Sequence, residues 1–179
     1  LLTANPKKAP EMKKYFLAVL ACSLLAVVCC QDESGIEKDK KAIVAVIEAE
    51  KIAYYAQDLA GLDNPWIQES TSRKLFLTTH GITEIVGWDD IHQHNIEAAE
   101  RDWSEHVETV RYSDYAINVY GNTALVLHNS EHQITDHGNE SMLNMRRIIH
   151  LVKIDEDWKI DMMAMYFMPH NPLGQEIEM

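Results

Sequence analysis

Glu50 is the residue in this sequence most in need of a chemical explanation. It falls on the apolar side of a helix-spaced segment, between Ile47 and Tyr54. A carboxylate there must either find a buried partner or serve as an acid or base. Nine histidines invite a metal reading. His92 and His94 are two apart on a predicted helix and so face different directions. His128 and His132 share a strand face, but four residues along a strand span about 13 Å, too far for one ion. They are expected on the outer sheet face. No spacing matches a known ligand pattern, so neither metal nor cofactor is expected. Ser104 beside His106 lacks a third partner, and the chain has no glycine-rich phosphate loop and no nucleophile elbow.

The elements that must position Glu50 can be read from periodicity. Ile36, Ile43, Val46, Ile47, Ala53 and Tyr54 recur at helical spacing, which predicts a helix from Ile36 to Leu62. Gly61 and Asp63-Asn64-Pro65 should stop it. Lys74–Thr79 reads as a strand, with His80-Gly81 as its turn. Gly87-Trp88-Asp89-Asp90 should open a second helix running to about Arg101, with Asp89 as its N-cap. From His106 the period becomes two. Glu108–Val119, Thr123–Thr135, Met142–Ile154 and Trp158–Phe167 read as strands, joined at Gly121-Asn122, His137-Gly138-Asn139 and Asp155-Glu156-Asp157. Helices followed by a run of strands indicate an α+β domain.

Before the domain, Lys13-Lys14 precede an apolar stretch that ends at Cys29-Cys30 and turns polar at Gln31-Asp32-Glu33. That pattern reads as an export signal, and its apolar run is short of the ~20 residues a spanning helix needs. It resembles a bacterial lipoprotein signal, which implies lipidation of Cys30 and a place in the periplasm or on the outer membrane. Ordinary cleavage and a soluble secreted product are the alternative. The expected layout is upstream residues 1–11, signal 12–29, tether 30–35, folded domain 36–170 and tail 171–179. All three cysteines (Cys22, Cys29 and Cys30) precede the domain, so no disulfide is expected within it.

Residues 1–30 carry a net +3, which leaves −15 on residues 31–179 once taken from the chain's −12. So negative a chain repels phosphate backbones and anionic headgroups, which argues against nucleic acid and leaves a lipid anchor as the one expected link to a membrane.

Three features together resemble the NTF2-like superfamily, in particular its SnoaL-like and ketosteroid-isomerase-like members. They are the first helix ending Ala56-Gln57-Asp58-Leu59-Ala60-Gly61-Leu62, the glycine-led Gly87-Trp88-Asp89-Asp90-Ile91, and the hairpin from Arg146 to Ile160 around Asp155-Glu156-Asp157. The resemblance implies a cone-shaped, curved antiparallel sheet, cystatin-like, with the N-terminal helices packed in its concave face. It also implies a pocket at the open end and a homodimer through the sheet. Counted back from Trp158, the position of the isomerases' oxyanion-binding acid falls on His150, and Arg146, Ile148 and Val152 share that face. The implied pocket side is Asp161, Met163, Met165 and Phe167 on the last strand, and Leu125, Leu127, Asn129 and Glu131 on the long strand before the hairpin. Glu50 and Tyr54 come from the first helix. Thr78 falls near the isomerases' general base, where a threonine cannot serve unaided, and His80 could substitute only if the turn aims it inward.

The expected function is binding of a small, partly apolar molecule. Two alternatives stand beside it: an isomerase, dehydratase or cyclase using Glu50 and His150 as an acid–base pair with Arg146 as anion anchor, and a non-catalytic dimeric interaction module.

Overall fold

The computed structural model describes residues 33–104 and 106–168. The expected signal, Cys30 and the tail 171–179 lie outside them. The described residues divide into two units between Lys38 and Asp39. The first holds Glu33–Lys38, the opening of a helix. The second holds the rest of that helix, two further helices and the sheet.

Helix α1 (Glu33–Ala56) buries Ile43, Ile47, Glu50 and Ala53, spaced by three or four so that they share one face. It ends earlier than expected, at Gln57, whose φ of 55° lies in the left-handed region. A separate short helix α2 (Leu59–Asp63) follows. Gly61 packs it against α1, since a Cβ there would stand 2.7 Å from that of Ala53.

Strand β1 (Arg73–Thr78) turns at Thr79-His80 into β2 (Gly81–Val86), a strand the periodicity did not disclose. Helix α3 (Trp88–Ala99) is led in by Gly87 rather than capped by Asp89, which lies within its first turn. Gly87 has φ 88° and ψ 157°, a region essentially restricted to glycine. Its N–H donates to Ser72 O at 2.8 Å, and a Cβ would meet Ser70 O at 3.4 Å. Gly87→Ala should therefore cost about 1–3 kcal/mol of stability, measured by chemical denaturation.

Four long strands complete the fold: β3 (His106–Tyr120), β4 (Thr123–Asp136), β5 (Asn139–Ile154) and β6 (Asp157–Met168). His137-Gly138 and Asp155-Glu156 each place two successive residues at positive φ, as two-residue hairpin turns of the right twist require. The strand order is β2-β1-β6-β5-β4-β3.

This corrects the expected cone. The fold is α+β with N-terminal helices, but β1 runs parallel to β6, so the sheet is mixed rather than antiparallel. It is also open, neither closed nor strongly curved, with β2 and β3 as its two edges. β1 and β6 are not consecutive in the chain: β2, the helix Trp88–Ala99 and three long strands lie between them, so no hairpin forces their pairing to be antiparallel.

One face of the sheet packs on the helices. Val126, Ile149, Leu151, Ile160 and Met163 meet Ile43 and Ile47 of α1 and Ile91 of α3, all essentially inaccessible to water. The inward positions are even-numbered on β4 and odd-numbered on β5. On β6 they switch from Trp158 and Ile160 to Met163, because the β5–β6 register slips at His150/Leu151 and leaves Asp161 unmatched. A second slip, at Ser113/Ala116, includes Asp114 at φ 56° and moves β3 from Tyr112 to Tyr115.

Candidate functional site

Between the helices and the inner sheet face lies a cavity of about 390 Å³. Phe76, Leu143, Met145, Met165 and Phe167 supply apolar wall, and Tyr54, Tyr55, Trp103 and Tyr112 supply aromatic wall. Its charged lining is Glu50, Lys51, Lys74, Arg101, Glu108 and Arg147, together with His94, His106 and His132.

Glu50, the residue that breaks the pattern of α1, is 6 % exposed and pairs with Arg147 at 3.2 Å. Arg147 also donates to the Tyr112 hydroxyl, and its guanidinium carbon stands 5.3 Å from the centre of that ring. Burial, only partly offset by the Arg147 charge, pushes the Tyr112 hydroxyl above its ordinary range, so Tyr112 is a neutral acceptor for the guanidinium.

A second polar chain crosses β3 and β4. Glu108 contacts His132 Nδ1, and His132 Nε2 lies 3.0 Å from the Ser130 hydroxyl. Burial works against the Glu108 carboxylate, but the contacts from His132, His106 and the Tyr55 hydroxyl outweigh it and hold its pKa low. The order hydroxyl–imidazole–carboxylate resembles an activated nucleophile, but Ser130 is 1 % exposed and absent from the cavity lining, so its hydroxyl faces no substrate space. The chain satisfies buried polar groups and fixes the cavity wall.

Lys74 is different. It comes from β1, where alternation sends Lys74 and Phe76 inward, and it is 5 % exposed. Its ammonium donates to Asn95 Oδ1 at 3.3 Å and stands 5.4 Å from the centre of the Trp66 ring. Burial lowers its pKa to about 8, opposed by Glu50 and Asp63 and assisted by Arg147. His94, which packs on Phe76, is lowered to about 4 by burial and by the Lys74 charge.

The structure does not bring the expected catalytic group together. Arg146 and His150 stand on the outer face of the sheet, opposite Glu50. Arg146 is exposed, and His150 bonds Asp161 at 3.0 Å. A Glu50–His150 acid–base pair is therefore corrected to a Glu50–Arg147 ion pair. Leu127, Asn129, Glu131 and Ile148 share that outer face, where Glu131 pairs with Arg111 at 3.2 Å and Asn129 donates to Asp114 at 2.9 Å. Thr78 and His80 are exposed at the β1–β2 turn, where the Thr78 hydroxyl donates to Gly81 O and accepts from the His80 N–H. Glu50, Tyr54, Met165 and Phe167 line the cavity, and Met163 is buried against Arg147.

His128 and His132, expected on the outer face, are 1 % and 7 % exposed on the inner one. His128 stacks on Tyr115 at 4.9 Å and donates from Nδ1 to the Asn129 carbonyl, which leaves Nε2 without a partner. Burial, reinforced by Arg147, lowers its pKa to about 4. The unfolded chain therefore binds more protons than the folded one between that value and the ordinary ~6.5, and stability must fall as pH drops through this window. His128→Gln should flatten that loss, as read from urea midpoints at pH 7 and pH 5. Among the described residues, no group of three or more potential ligands could hold a metal ion.

The residues missed were Lys74, Arg147, His94, Trp103, His106 and Glu108. For Lys74 the alternation of β1 carried the signal. For Arg147, next to Arg146, only the choice of sheet face separates the two.

No family model and no curated protein matches the sequence. Solved structures do. An NTF2-like superfamily protein from Salmonella enterica serovar Typhimurium superposes with a TM-score of 0.61 at 16% identity, over 79% of this chain and 99% of its own. A protein of unknown function with a cystatin-like fold from Nostoc punctiforme gives 0.56 at 12% identity, over 75% and 94%. The chain has the NTF2-like, cystatin-like fold. A ketosteroid isomerase-like protein from Erwinia carotovora atroseptica also superposes, at a TM-score of 0.54 and 12% identity over 73% and 96%. Identities this low show the NTF2-like fold and leave the chemistry to the side chains.

Proposed function

We propose that this NTF2-like domain binds a small, partly apolar molecule in the cavity beneath α1. The carrying observation is the cavity itself, about 390 Å³, lined by apolar and aromatic side chains interspersed with charged ones. Catalysis by the isomerase route is not favoured. Glu50 is held in an ion pair, and Thr78 lies at an exposed turn.

The test is ligand-induced stabilisation against a panel of small aryl and alkyl compounds. A true ligand at a hundred times its Kd raises stability by about 2.7 kcal/mol. Leu143→Trp, which fills the cavity from its wall, should remain folded and lose the effect. Binding that survives the filled cavity would place the ligand elsewhere.

Two further expectations join this proposal. The outer sheet face presents half-buried Leu125, Leu127, Ile148 and Met162 with exposed Tyr166, and two copies are proposed to pair through it, as light scattering of the purified domain would show. The domain is proposed to work outside the cytoplasm, either on a lipid at Cys30 or as a soluble product. The mass of the mature N-terminus decides between them.

A further inference from the structure

We infer that the cavity is built for an organic carboxylate, its acid group on Lys74 and its apolar tail along Phe76, Met145 and Met165. The inference rests on the binding reading above and names the class of molecule bound.

Charges and donors around the cavity are unevenly matched. The lining carries four cations, Lys51, Lys74, Arg101 and Arg147, against two carboxylates, Glu50 and Glu108. A positive cavity in a chain of net charge −12 is a local reversal. Arg147 has Glu50, and Lys51 has Glu48. Arg101, on the exposed side, has the Tyr54 hydroxyl. Lys74 alone combines deep burial with no carboxylate in ion-pair range among the described residues. Its single hydrogen bond is a long one to an amide oxygen, and an ammonium can donate three. A buried cation left in that state is costly unless an anion joins it.

The unsatisfied groups on the cavity-lining side chains have a consistent sign. Trp103 Nε1 and Arg147 Nε are buried, have no hydrogen-bond partner, and belong to side chains lining this cavity. Both are donors, while the two lining carboxylates are already engaged. The site therefore lacks acceptors carrying negative charge, which a carboxylate supplies. The methionine and phenylalanine walls would waste their area on a bare inorganic anion, so the anion should carry an apolar tail.

The test compares 3-phenylpropionate with 3-phenylpropanol by calorimetry on the intact domain, with inorganic phosphate as a third probe. At pH 6.5 the wild type should bind the carboxylate at least tenfold more tightly than the alcohol. That preference should shrink as pH rises past about 8, where Lys74 loses its proton. Glu50 of α1, Asp63 of α2, His94 of α3 and Arg147 of β5 also face Lys74, so Lys74→Met is needed to assign the profile. In that variant the carboxylate preference and its pH dependence should vanish, while alcohol binding is kept. Equal binding of acid and alcohol by the wild type overturns the inference and leaves the binding proposal standing. A preference unchanged in Lys74→Met, or phosphate bound as tightly as phenylpropionate, also overturns it. Binding of neither organic probe sinks both readings.

Discussion

Arg147→Ala should destabilise the domain by about 3–5 kcal/mol, the usual cost of removing one partner from a buried ion pair. Arg147 and Glu50 have side chains only 5% and 8% accessible, so removing either leaves the other's charge largely desolvated and unpaired. Truncating the guanidinium strands the Glu50 carboxylate beneath α1 and removes the donor to the Tyr112 hydroxyl at the same time. The companion experiment replaces both charges with apolar groups of similar size, Glu50→Leu with Arg147→Met. That pair should be far less costly than the single truncation, because no orphaned charge remains and desolvation of two ions is avoided. Urea denaturation of the three proteins measures both effects. A single variant as stable as wild type would mean that the pair is solvated rather than buried.

Lys74→Met should do the reverse and stabilise the unliganded domain at neutral pH. The folded state holds the Lys74 pKa at about 8, below the ordinary lysine value. Below both values the buried charge is present in the fold and its penalty is fully felt. Between about 8 and the unfolded value the unfolded chain keeps the proton that the folded chain has released, so wild-type stability rises with pH across this window. The displacement corresponds to a penalty on the order of 3 kcal/mol. Lys74→Met removes it, so the two proteins should differ most at pH 7 and converge near pH 10.5. Measuring the difference rather than the wild type alone cancels the titration of tyrosines over the same range. Equal stability of the two proteins at pH 7 would show that the ammonium is not desolvated.

Much of the scaffold was legible. The apolar spacing of α1, the glycine at the head of α3 and the turn residues of the β-hairpins each act through local sterics and hydrogen bonding, so the chain discloses them directly. The cavity was legible only in part. On β4 the outward positions include Leu125 and Leu127, while the inward ones include His128, Ser130 and His132, so hydropathy pointed to the wrong face. On β6 the bulge at Asp161 exchanges the two faces midway, and a count from Trp158 gives opposite answers on its two sides.

The sequence by itself determined that helices precede a run of strands, that the chain is acidic, and that one buried-position carboxylate, Glu50, required an explanation. Tertiary structure alone decided that its partner is Arg147 rather than Arg146 or His150, that β1 joins β6 in parallel and carries Lys74 inward, and that the sheet stays open. The reason is one of range. Alternation along a strand defines two faces, but which of them meets the helices depends on packing between residues about a hundred positions apart.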